Sequence, residues 1–186
     1  MRNLTGILAV LMLIFMGLAC SGDETEKANG LVDEANKFIT EANKNVEQAG
    51  TKGGEFDKKV AAMKEEDDKK DVSDFSKKEL VPIYDSMKDN FQKASEKFEA
   101  ASKLKLNDKF KEYLETKAAE MKKRADYANE LKTIPKALDD AKNKKDYDDA
   151  VAKALENIKK IQKDAQDLAD KATKIQKDNP NVMKQN

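Results

Sequence analysis

At 186 residues, with 36 basic and 36 acidic side chains, the chain is long enough for a single domain with its own core and carries no net charge. That balance argues against a basic face for nucleic acid or a polybasic membrane patch. The lack of His and Trp, with one Cys, excludes His-dependent nucleophilic catalysis and a conventional zinc site. All seven glycines lie at or before Gly54, and the rest is dominated by Ala, Lys, Glu, Asp and Gln, so helices rather than sheets are expected.

The chain opens on Met1-Arg2, runs apolar through residues 4–19, reaches Cys20, and turns polar at once with Ser21, Gly22, Asp23 and Glu24. A positive start, an apolar stretch of roughly 15 residues and a small residue before the break have the form of a secretory signal. The stretch is short for a membrane span, which needs about 20 residues. The junction Gly17-Leu18-Ala19-Cys20 resembles the type II signal peptide of bacterial lipoproteins. Ala19 is the small residue expected before the cysteine, while Gly17 stands where a leucine is usual. The resemblance implies cleavage of residues 1–19, which leaves 167 of the 186. It also implies acylation of the Cys20 sulfur and of the new amino terminus. Each buried CH₂ contributes about 0.8 kcal/mol, so two or three acyl chains hold a protein stably on a bilayer. Ser21, rather than Asp, after the cysteine implies outer-membrane sorting in a cell with two membranes, facing the periplasm or the surface. An ordinary signal with an incidental cysteine, or an uncleaved anchor, are the alternatives.

The remainder, residues 20–186, reads as one helical domain on a short lipid-anchored tether. A first helix carries Leu31, Ala35, Phe38, Ala42 and Ala49, flanked by Val32, Ile39 and Val46. It is expected to start as early as Asp23 and to stop at residues 50–54, where glycine provides the cap. Phe56, Val60 and Met63 suggest one or two further turns. The charged block 65–71 reads as a solvated helix end or loop, with a cation or partner site as the sharper alternative. A second stripe runs Leu80, Tyr84, Met87, Phe91, Ala94, Phe98 and Ala101. Ser76 and Glu79 form the S-x-x-E capping box and Phe75 and Leu80 the staple. Pro82 then bends the first turns, unless the helix begins at Pro82 itself. A third stripe, capped by Asn107, runs Phe110, Leu114, Ala118, Met121, Ala125 and Ala128, continuing loosely to Ala141 across a kink or split at Pro135. The fourth is the most regular: Tyr147, Val151, Ala154, Ile158, Ile161, Ala165, Leu168, Ala172 and Ile175, at steps of four and three. Asp146 is its expected cap and residues 178–180 its stop. Asp149–Lys153, Glu156–Lys160, Asp167–Lys171 and Asp170–Lys174 are spaced to pair on its wet side.

Four one-faced helices joined by short links near 103–107 and 142–146 predict an all-α, antiparallel up-down-up-down four-helix bundle with a helical or loop insertion between helices 1 and 2. Phe38, Phe91, Phe98 and Phe110 are the expected core aromatics. An intermolecular coiled coil and a disordered, hydration-protectant-like chain are the alternatives, disfavoured by the short links and the large apolar stripes. For site chemistry, the sequence offers Cys20 as a lipidation residue and no catalytic, cofactor-binding or metal-ligating set. It has neither a P-loop nor a G-x-G-x-x-G motif. Asp146, Asp148 and Asp149 match a calcium loop only in part, and capping explains them better. Tyr113 and Tyr127 flank the third stripe as a binding surface or a boundary, while Tyr84 and Tyr147 lie on theirs. The expected function is a non-enzymatic structural or interaction module. It is held to the membrane by acyl chains on Cys20 and meets an envelope protein or polymer, with no nucleic acid. The alternative is a carrier binding an apolar ligand inside the bundle near Pro135, which demands a cavity of a few hundred Å³.

Overall fold

The computed structural model describes residues 24–64 and 66–180. Among these, helices α1 (Thr25–Ala62), α2 (Glu66–Phe75), α3 (Val81–Ser102), α4 (Asp108–Leu131), α5 (Thr133–Asp140) and α6 (Lys144–Asp178) account for nearly every residue, and no strand is present. The long helices α1, α3, α4 and α6 pack antiparallel in up-down-up-down order, each against its neighbour in the chain. Contact between α1 and α6 is slight along their length, so spatial order repeats chain order instead of closing a ring. The insertion after the first long helix is α2 with a π-helical turn, Ser76–Leu80.

The stripes of the sequence become the core. Met87, Phe91, Ala94, Phe98 and Ala101 of α3 meet Phe110, Leu114, Ala118, Met121, Ala125 and Ala128 of α4, with Ala28, Ala35 and Ala42 of α1. A second cluster at the opposite end gathers Ala49 and Phe56 of α1, Val72 of α2, Leu80, Tyr84 and Leu138. Phe38, expected in the core, is instead half-buried on the α1 flank, with the Lys93 ammonium 5.7 Å from its ring centre. From residue 28 to residue 49 the buried positions of α1 are alanines, which let it approach α3 closely and leave less volume for a large ring there.

The glycine stop does not occur. α1 continues through Gly50, Gly53 and Gly54 to Ala62. Its buried positions 28, 35, 42, 49 and 56 recur every seven residues, so the same stripe carries Phe56 into the second cluster. Packing thus overrides a propensity cost of about 1 kcal/mol per glycine. A methyl group added at any of the three meets nothing within 4 Å, and none has a left-handed φ. The triple substitution Gly50→Ala/Gly53→Ala/Gly54→Ala is therefore expected to raise unfolding free energy by roughly 2–3 kcal/mol in a urea titration. An unchanged midpoint would mean that this segment is not helical in solution.

The Ser76–Glu79 capping box is not formed either. The chain stays helical through Phe75 and Val81, and the Ser76 hydroxyl donates backwards to the Ser73 carbonyl at 2.8 Å. Pro82 enters as the second residue of α3. Its missing N–H falls beside the π turn, where the regular bond ladder is already displaced, so the helix axis continues without a cap. At Pro135 the expected split is found: α4 ends at Leu131 and α5 begins at Thr133. Asn107 caps α4 as expected, accepting from the Lys109 N–H at 2.8 Å. For α6 the cap is Asn143, not Asp146. The Asn143 side-chain oxygen accepts from the Asp146 N–H at 3.0 Å, and its amide donates to the Asp146 carboxylate at 3.0 Å. Asp146 is thus the reciprocal partner three residues on. None of the four anticipated ion pairs of α6 closes. Asp149 takes Lys145 at 2.5 Å, and Lys171 reaches across to Glu112 of α4 at 3.6 Å.

Candidate functional site

Cys20, the one site residue the sequence singles out, lies outside the described residues, but the residue four places after it is firmly placed. The Glu24 N–H donates to the Lys105 carbonyl at 3.1 Å, and the Glu24 carboxylate accepts from the Lys105 N–H at 3.0 Å. Lys27 closes on the same carboxylate at 3.4 Å. The Lys105 N–H bond, against a smaller effect of burial, holds this carboxyl below the usual range. These reciprocal bonds clamp the entry of α1 onto the α3–α4 link. The antiparallel order puts the end of α6 at this same end of the bundle, where Asp178 is its last residue.

Inside the bundle, Glu120 is the only buried carboxylate among the described residues. Glu112, Lys123 and Glu130 all pair with α6, through Lys171, Asp164 and Asn157 respectively, and so mark the α4 face turned toward that helix. Thr116 and Glu120 fall in the same stripe at helical spacing. The Glu120 side chain is 3% exposed and is held from its own helix, by Lys117 at 2.6 Å and by the Arg124 guanidinium at 2.8 Å. Lys117 also lies 5.9 Å from the centre of the Phe98 ring, which ties the triad to α3.

At the far end a second polar group fastens α2 to α5. The Lys69 ammonium donates to the Asp139 and Ala141 carbonyls at 3.3 and 2.7 Å, capping the C-terminus of α5. The Ser73 hydroxyl donates to the Asp139 carboxylate, and Lys77 pairs with that carboxylate at 3.0 Å. Burial raises the Asp139 pKa, but the bonds from Ser73 and Lys77 outweigh it and leave the carboxyl below its usual value. The charged block thus supplies a docking residue rather than a free loop, and no metal-holding group of carboxylates is found among the described residues.

Tyr113, Tyr127 and Tyr147 are boundary residues and Tyr84 lies in the second core cluster, and burial drives all four phenols upward. Tyr113, stacked on Phe110 with centroids 6.4 Å apart, reaches about 12, as does Tyr147. Tyr84 and Tyr127 shift in the same direction. None is poised to exchange a proton near neutrality. Near the end of α6 lies an open dent of about 340 Å³ lined by Asp170, Thr173, Lys174, Lys177 and Asp178. All five residues come from one helix and four are charged, which suits water better than an apolar ligand. None of the described helices is long and apolar enough to cross a membrane. Comparison with family models, with curated proteins and with solved structures finds no match for this chain.

Sequence reasoning missed both polar groups. Glu120 follows the spacing of a second α4 stripe, but its burial depends on where α6 docks. Lys69 and Asp139 are 70 residues apart, and nothing local links them.

Proposed function

We propose that the chain is a membrane-anchored bacterial lipoprotein whose helical bundle serves as a non-enzymatic structural or interaction module of the cell envelope. The observation that carries this reading is the junction at Cys20, where an apolar run ends on Ala19-Cys20 and a charged chain begins. The geometry of the bundle is consistent with a surface function. Its apolar side chains fill two packed clusters, its buried carboxylate is neutralised by two cations of its own helix, and its remaining charges are spread over the outside. The anchor is tested by metabolic labelling with a clickable fatty acid. Wild type should carry the label and Cys20→Ser should not. Equal labelling of the two would place any acyl group elsewhere and remove the basis of the reading.

A further inference from the structure

We propose that the bundle stands end-on to the bilayer, with the 103–107 link as its lipid-facing tip and the α2/α5 cap held out in the aqueous phase. This rests on the reading of Cys20 as the acylated residue. The argument is one of reach. Glu24 is four residue steps from Cys20, and a chain spans at most about 3.6 Å per step, so the anchor is tied within about 14 Å of Glu24. Glu24 is in turn bonded on both sides to the backbone of Lys105, so the limit applies to the α3–α4 link as well as to the start of α1. The 38 residues of α1 span about 57 Å, which puts the opposite end several times farther from Glu24 than the tether can reach.

The chemistry of the tip agrees with its position. Glu24, the acidic group nearest the anchor among the described residues, has its carboxylate engaged by Lys105 and Lys27 and does not present a free charge to lipid phosphates. Lys103 and Lys109 pair with Glu99 and Glu112, each set back along its own helix. Lys105 is exposed, and its ammonium closes no ion pair among the described residues, so its charge is left at the apex to meet a phosphate. The chain as a whole is close to neutral, so the tether rather than a broad electrostatic field sets the approach.

The test uses the full lipidated chain in vesicles of phosphatidylethanolamine and phosphatidylglycerol. Acylation blocks the Cys20 sulfur, so Lys105→Cys and Lys142→Cys each offer a single thiol for a fluorophore; both positions are exposed. A spin-labelled headgroup lipid then reports proximity to the surface. The Lys105 probe is expected to be quenched several-fold more than the Lys142 probe, which lies beyond α4, about 36 Å long. Equal strong quenching would show a bundle lying flat, and equal weak quenching one that swings free; either overturns the proposal. Flotation with the vesicles is read on the same samples. Failure to float overturns the anchor itself, whereas flotation with equal quenching overturns only the orientation.

Discussion

Replacing Ile158 by Asp is expected to remove several kcal/mol of stability, a large part of the roughly 5–15 kcal/mol that holds a domain of this size. Ile158 is 1% exposed at the middle of α6, on the line of Ala154, Ala165 and Ala172 that meets α4. A carboxylate there has no cation within its own face of the helix and no route to water. Ile161 sits beside it in the sequence stripe, yet the structure leaves it half-buried. Because α6 packs along α4 but only slightly against α1, one edge of its stripe has no helix to cover it. Ile161→Asp should therefore cost distinctly less than Ile158→Asp, since its carboxylate can turn toward solvent. Lys159→Asp, on the exposed side, should stay within about 0.5 kcal/mol of wild type. Thermal and urea melts of the three variants give the ranking directly. If Ile158→Asp and Lys159→Asp melt alike, the face assigned to α6 is wrong.

That gradation shows which parts of the fold are legible in the amino-acid order. The α3, α4 and α6 stripes, the Asn107 cap, the split at Pro135 and the stop at Asp178 depend on residues within a turn or two of one another, and they follow from spacing alone. The stop at Gly50–Gly54 fails because it weighs a local propensity without the long-range partner. Phe56 finds Leu80 and Tyr84, and that burial extends α1 through three glycines. The capping box fails for a related reason. Ser76 and Glu79 have the right spacing, but Val72 and Leu80 are both drawn into the far-end cluster, so the chain runs helically through the point where a cap would break it. Asp146 and Asn143 compete for one cap, and the residue with both a donor and an acceptor on its side chain takes it. Of the candidate sites, the Cys20 junction is a linear signal and is read directly. The Lys69–Asp139 tie and the burial of Glu120 are properties of docking between helices, and no periodicity encodes them.

The Glu120 triad supplies the second large expected effect. Glu120→Ala is expected to destabilise the bundle by about 3 kcal/mol, because it leaves Lys117 and Arg124, one turn to either side of position 120, with no counter-charge between them. The value belongs at the lower end of the range for broken buried pairs, since both cations remain about a quarter exposed and can recover some hydration. Glu120→Gln tests the same point without opening a cavity: the shape is kept and the charge is lost, so most of the cost should persist. The combined substitution Lys117→Met/Glu120→Leu/Arg124→Met removes all three charges at similar volume and is expected to return stability to the wild-type level or above it. Urea denaturation at constant m-value separates these outcomes. A cost below about 0.5 kcal/mol for Glu120→Ala would mean that the carboxylate is solvated and that α6 does not cover it. A triple variant as unstable as Glu120→Ala would instead locate the loss in packing, because lost methylene contacts of Lys117 and Arg124, such as that of Lys117 on Phe98, would then outweigh the relief of their charge.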